Sequence, residues 1–249
     1  MLTFSGVSVV LMDVEGTTTA IDFVHDTLFP YAAQHLGRYL NDQADVAEVQ
    51  ACMRDVQSLV RQEEDRTVSH EEVPGILQAW IRADRKATPL KTLQGLIWQD
   101  GYTRGDFTGH VYGDVKPAFE RWRRQGLLLA IYSSGSVAAQ QLLFRYSDVG
   151  DLTPFLSAHF DTRVGAKGET QSYTDIAGTL AVQPEAVLFL SDMPAELLAA
   201  RAAGMQVCQL QRSENSPGTP ALPADSGIPV SPDFAALTIA SPVAACRPH

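Results

Sequence analysis

Positive charge is scarce in this chain of 249 residues. Lysine and arginine number 19 against 29 aspartates and glutamates, a formal charge of −10, and only Lys86, Lys91, Lys116 and Lys167 are lysines. A nucleic-acid binder presents a basic face, so no nucleic-acid partner is expected. Cysteine is sparse as well. Cys52, Cys208 and Cys246 lie far apart with no CxxC pair, which argues against a structural zinc site and fits a reducing compartment. No apolar run nears the length of a membrane span. The start, MLTFSGVSVVLMDVEG, lacks the basic region and cleavage site of a signal peptide. The expectation is a soluble, cytoplasmic protein with no membrane partner. With 45% hydrophobic residues, wholesale disorder is excluded.

The chain divides by pattern. VSVVLMD (7–13), LLLAIYSS (127–134) and AVLFLSD (186–192) are apolar runs that end on short polar residues, and they read as buried strands. SAHFDT and MQVCQL are weaker strand candidates. Helical stretches lie between them, over 114–125, 136–146 and 194–203, with Gly126 and Gly204 as stops. Strand and helix alternate, so the fold class expected is α/β with a doubly wound parallel sheet. Residues 18–112 break the alternation and look helical nearly throughout, an insertion after the first strand. Residues 213–249 hold seven of the 14 prolines and only four charged residues. They predict a mostly irregular tail with a short element over 233–239.

Ligands of open α/β sheets bind beyond the carboxyl ends of the strands. The three best strands end at or beside Asp13, Ser133 and Asp192. Each residue alone suits an ordinary turn or helix cap; three together favour a site. In DVEGT, Asp13 and Glu15 sit two apart on a turn that Gly16 permits. One carboxylate can serve as nucleophile and metal ligand while the other moves a proton. The hydroxyls and N–H groups of SSGS (133–136) lie at a helix start and suit an anion. Lys167, in VGAKGET, can place a point charge on a phosphate, although a lone loop lysine is more often only solvated. Asp192 facing Asp13 would repel it unless a hard divalent cation such as Mg²⁺ intervened. Glu196, four residues on, can support those ligands or simply favour the helix dipole. His25 and His110 are read as structural hydrogen-bonding groups, and Cys208 as a small buried hydrophobe.

Asp13, Ser133, Lys167 and Asp192, in this order, resemble the motif set of the haloacid dehalogenase superfamily, whose Rossmann-type core carries a helical cap. More closely, DVEGTTTAIDFVHDTLFPYA, HVYGDV, IYSSGS and SDMPAEL resemble the enolase-phosphatase (acireductone synthase) family, which has Glu where most superfamily phosphatases have Asp two residues after the nucleophile. The resemblance covers roughly 7–212. It implies a core formed by 1–17 and 113–212 and a cap over 18–112; the Pro-rich C-terminal tail over 213–249 matches the family only in DFAAL. It implies an Mg²⁺-dependent, two-stage reaction in methionine salvage. The substrate, 2,3-diketo-5-methylthiopentyl 1-phosphate, would be enolised and then dephosphorylated to 1,2-dihydroxy-5-(methylthio)pent-1-en-3-one. By that resemblance Asp13 is the nucleophile; the chemistry of enolisation makes Glu15, one methylene longer than Asp, the candidate for proton transfer. Lys167, Ser133 and Ser134 bind the substrate, chiefly its phosphate. Asp13 and Asp192 bind the metal through side chains and Glu15 through its carbonyl. A monomer is expected. The alternatives are a phosphatase of the same superfamily acting on another small phosphomonoester, and a catalytically silent binding protein.

Overall fold

The computed structural model describes residues 1–83, 85–212, 222–223 and 225–240. Along the chain, β1 (Leu2–Ser5) and β2 (Val9–Met12) precede α1 (Phe29–Asp42), α2 (Ala47–Glu64), α3 (Val73–Arg82) and α4 (Thr88–Arg104). Then come α5 (Val115–Arg124), β3 (Leu128–Tyr132), α6 (Val137–Arg145), β4 (Ala158–Phe160), α7 (Thr170–Thr179) and β5 (Val187–Ser191). The last are α8 (Pro194–Ala202), β6 (Gln206–Leu210), β7 (Val230–Ser231) and β8 (Leu237–Ala240). Two compact units result. One joins Met1–Ile21 to Gly109–His249, and the other is Asp22–Thr108. The helical unit begins and ends four residues inside the 18–112 expected from the sequence.

In the first unit six parallel strands run in the order β4-β3-β2-β5-β6-β7. The apolar runs make this order stable. Every residue of β2 and β5 is buried, as required of strands covered on both faces. Val9, Leu11, Ala130, Tyr132, Val187 and Phe189 pack with Tyr173 and Ile176 of α7 and Leu197 and Ala200 of α8. Truncating one of these, Leu11→Ala for instance, costs about 2–5 kcal/mol. From β2 the chain builds outward through β3 and β4, then returns to the other side of β2 for β5 and β6. The order therefore reverses between β2 and β5, the place where open α/β sheets bind their ligands.

The short element expected over 233–239 is present as β8 (Leu237–Ala240). The described part of 213–249 is not a loose appendage. β7 extends the sheet beside β6, and β8 pairs in parallel with β1, from Leu2↔Leu237 to Ser5↔Ala240. Proline content misleads because it matters only where an N–H is needed. Pro229 keeps its carbonyl, which accepts from Gln209 N at 2.9 Å, and β7 is an edge strand, where proline is tolerated. The expected irregularity of 213–221, 224 and 241–249 lies outside the described residues.

The second unit is four helices around their own core. Leu36 and Leu40, Val49, Met53, Val56 and Val60, Leu77 and Trp80, and Leu90, Leu93 and Ile97 recur at helical spacing and are buried together. A π-helical turn over Phe23–Leu28 leads into α1. Trp98 Nε1 donates to its last carbonyl, Leu28 O, at 2.8 Å. Among the described residues no helix is long and apolar enough to cross a membrane.

Candidate active site

Parallel register carries three strand ends to one edge. Met12 is level with Ile131 and Leu190, so Asp13, Ser133 and Asp192 leave the sheet side by side. The backbone after Asp13 turns at once. The amides of Thr17, Thr18 and Thr19 all point at Val14 O, at 3.2, 2.9 and 3.0 Å. Gly16 adopts φ +70°, a left-handed conformation that disfavours any side chain. His110 fastens the end of this loop: Ala20 N donates to its Nδ1 at 3.1 Å, and Thr19 Oγ1 donates to its carbonyl at 2.6 Å. That is the structural role read from the sequence. His25 lies in the other unit, edge-on to Phe29.

Asp13 is 4% exposed. Its Oδ1 accepts from Val14 N at 2.7 Å and from Lys167 Nζ at 2.6 Å. Its Oδ2 has only a 3.4 Å contact with Ser191 Oγ. That hydroxyl lies closer to Glu196 Oε2, at 2.9 Å, and accepts from Met193 N. One hydroxyl proton serves one short bond, so Asp13 Oδ2 keeps most of its acceptor capacity.

Lys167 sits between two carboxylates, with Asp13 Oδ1 at 2.6 Å and Glu196 Oε2 at 2.8 Å. The loop that delivers it is pinned by side chains. Tyr132 OH donates to Gly165 O, Ser172 Oγ to Ala166 O and Tyr173 OH to Lys167 O, at 2.9, 2.8 and 2.7 Å. Burial pulls the Lys167 ammonium toward deprotonation, but Asp13 and Glu196 outweigh it and hold the pKa above its usual value. Glu196 moves the other way: burial and then the charge of Asp13 push its carboxyl up, against the pull of Lys167. The Lys167 shift thus comes from its two carboxylate neighbours, and the Glu196 shift from burial beside Asp13. The sequence marks Glu196 only as a support, and its bond to Lys167 joins residues 29 apart along the chain. No local pattern signals it.

Asp192 is held differently. Its N–H donates to Thr17 Oγ1 at 3.1 Å and its carbonyl accepts from Gln209 Nε2 at 2.8 Å. Its carboxylate lies against Gly16, where an added Cβ would fall 2.6 Å from the carboxyl carbon. Buried Asp192 Oδ1 has no hydrogen-bond partner. Burial, and next the charge of Asp13, push this carboxyl up to about 7. Main chain fixed on both sides and a buried carboxylate oxygen left unsatisfied are what a cation would complete. Among the described residues no three His, Cys, Asp or Glu side chains gather as a ready cage. Asp13 and Asp192 are a sparse pair of carboxylates, a donor set compatible with Mg²⁺, which keeps several waters.

The remaining expected residues lie around this centre. Glu15 is half-buried in the loop. Ser133 is buried, its Oγ accepting from Gly135 N at 3.2 Å, and Ser134 is exposed beside it. Ser136 caps α6, its Oγ accepting from Ala139 N at 3.2 Å. Cys208 is fully buried and its thiol is pushed up to about 12 by burial, an inert packing residue.

Known proteins share this architecture. A family model described as haloacid dehalogenase-like hydrolase matches residues 7–204. Enolase-phosphatase E1 of Drosophila willistoni is 51% identical over 222 residues, 86% of this chain and 90% of that protein. The same-named protein of Drosophila yakuba is 49% identical over 239 residues, 92% of each. Among solved structures, Unknown transcript 4 protein of Saccharomyces cerevisiae superposes with a TM-score of 0.76 at 32% identity, covering 93% of this chain and all of the other. L-2-haloacid dehalogenase of Xanthobacter autotrophicus, at 18% identity and a TM-score of 0.53 over 92% and 95% of the two chains, shares the fold.

Proposed function

The chain belongs to the haloacid dehalogenase-like hydrolases and, within them, to the enolase-phosphatases, and from that premise we propose that it converts 2,3-diketo-5-methylthiopentyl 1-phosphate to 1,2-dihydroxy-5-(methylthio)pent-1-en-3-one and phosphate, a step of methionine salvage. The observation that carries this reading is the buried Asp13 carboxylate at the sheet's switch point, one oxygen saturated by Lys167 and Val14 N and the other open.

Enolisation removes a proton from the carbon between the phosphate ester and the first carbonyl and returns one to the carbonyl oxygen. Glu15 is assigned that proton transfer. Asp13 Oδ2 then attacks phosphorus, the bond from phosphorus to the ester oxygen breaks, and that oxygen leaves on the enediol and takes a proton. Water cleaves the aspartyl phosphate, releasing phosphate and restoring Asp13. Lys167, 2.6 Å from Asp13 Oδ1, holds that carboxylate in place and offsets phosphoryl charge, which matters most in a reaction governed by positioning and electrostatics. Ser133 and Ser134, on the loop before α6, are assigned to the phosphate. Asp13, Asp192 and the Glu15 carbonyl are the residues that would hold Mg²⁺. When bound, the ion neutralises phosphoryl oxygens and polarises the diketone. A cytoplasmic monomer is part of the proposal, checked first by gel filtration.

The test supplies the diketone phosphate with Mg²⁺ and follows phosphate and enediol absorbance together. Both signals should appear and EDTA should abolish both. Hydrolysis of simple phosphomonoesters with no action on the diketone would move the chain to another substrate. Glu15→Gln should stop the enediol signal. Full enolisation and full phosphate release by that variant would remove Glu15 from the mechanism.

A further inference from the structure

Arg212 precedes the proline-rich tail, and its side chain is 4% exposed. Its Nε and Nη2 both donate to Thr17 O, at 3.1 and 2.6 Å. Its Nη1 donates to both oxygens of Asp114 at 2.8 Å. The guanidinium carbon lies 4.3 Å from the ring centre of Tyr112 and 4.8 Å from that of Phe234. Phe234 belongs to the tail and is fixed by its own main chain, which donates from N to Asp114 Oδ2 at 2.6 Å and accepts at O from Arg121 Nη2 at 2.9 Å.

A buried ion pair is a poor device for stability alone, because well-packed apolar residues of similar volume do as well or better. What this pair does supply is direction. Its fork grips the carbonyl of Thr17, the residue whose hydroxyl accepts the Asp192 N–H. Thr17 is fully buried, and the same residue carries both the carbonyl that Arg212 grips and the hydroxyl that receives the Asp192 N–H. The chain of contacts runs from the tail through Phe234, Asp114 and Arg212 to Thr17, and ends on the main chain of Asp192.

We propose that Arg212 is a positioning residue for the Asp192 loop, and that the tail segment around Phe234 completes the device by stacking on the guanidinium and sharing Asp114. The proposal rests on the reading of Asp192 as an Mg²⁺ ligand. Removing the fork lets Thr17 relax, and the Asp192 carboxylate then loses its set position over Gly16. Partners that orient ligands typically change metal affinity ten- to a hundredfold when replaced. Lysine keeps the charge at position 212 but cannot reach Thr17 O and both Asp114 oxygens from one rigid plane.

The experiment titrates Mg²⁺ calorimetrically into the metal-free full-length wild type, Arg212→Lys and Asp114→Asn, and measures turnover against Mg²⁺ and against substrate. Arg212→Lys should weaken Mg²⁺ binding about tenfold, while KM for substrate at saturating Mg²⁺ stays within about twofold. Asp114→Asn, which leaves both bonds to Thr17 O in place, should weaken it in the same direction by less. It also decides the matter should Arg212→Lys fail to fold. Unchanged Mg²⁺ affinity in whichever of the two folds overturns the role of Arg212. A wild type that binds no Mg²⁺ overturns the metal reading beneath it, so the two failures are distinct.

Discussion

Two buried aspartates stand at the ends of adjacent strands and are treated in opposite ways. Asp13 has its carboxylate engaged: Lys167 and Val14 N hold one oxygen, and Ser191 lies near the other. Asp192 has its main chain engaged and one carboxylate oxygen with no partner. A charged oxygen in that state is costly, and its pKa of about 7 records the cost. The contrast separates two tasks. Asp13 is salt-bridged and aimed through its carboxylate, the arrangement that its proposed role as nucleophile needs. Asp192 is aimed through its backbone and left short of positive charge, as a ligand awaiting a cation would be.

The hardest way to break the contrast is at Asp13. Asp13→Asn should lower phosphate release roughly a thousandfold or more, since an amide oxygen is a poor nucleophile toward phosphorus. Near-normal turnover in a steady-state phosphate assay would reject the assignment. Next is Lys167→Met, which leaves Asp13 and Glu196 facing each other without their shared cation. Removing one partner of a buried pair costs about 3–5 kcal/mol; urea denaturation in EDTA should show a loss of that order. Asp192→Asn should do the reverse. In EDTA its melting temperature should rise by a few degrees, about the 1 kcal/mol gained by removing an unsatisfied buried charge, while stabilisation by Mg²⁺ disappears. A metal-free form that melts lower than wild type would show that Asp192 is not the strained member.

The smallest effect belongs to His159 and must be separated before acid melts are read. Burial holds its imidazole below the usual value. The folded state therefore resists a proton that the unfolded chain accepts. This contribution is complete above the unfolded pKa near 6.5 and is lost as pH falls below it. His159→Asn should flatten the fall in melting temperature between pH 7 and 5, read by thermal melts at both pH values.

Much of the site is legible in the amino-acid sequence. Asp13 and Asp192 follow apolar runs too uniform to be anything but covered parallel strands, and Ser133 follows a third. Lys167 stands out through the scarcity of lysine. Less is legible of what joins them. Glu196 is visible as a neighbour of Asp192, but its bond to Lys167 depends on how two loops meet over α7 and α8. Arg212, Asp114 and Thr17 have no shared motif and lie up to 195 positions apart. In the tail the sequence marks a short element over 233–239 but not its partner, because β8 pairs with β1 at the other end of the chain.

The amino-acid pattern by itself determined the elements: uniform apolar runs become central strands, 3.6-residue spacing becomes the helical unit, and short polar residues at strand ends mark the edge that holds the candidate site. These follow from local preference and burial, which neighbouring residues decide. Only the tertiary structure decided which carboxylate received the ammonium, which was left without a partner, and that the tail reaches back to Asp114 and Arg212. Charge and hydrogen-bond partners are settled by distances between residues remote in sequence, and those distances exist only once the sheet has set its register.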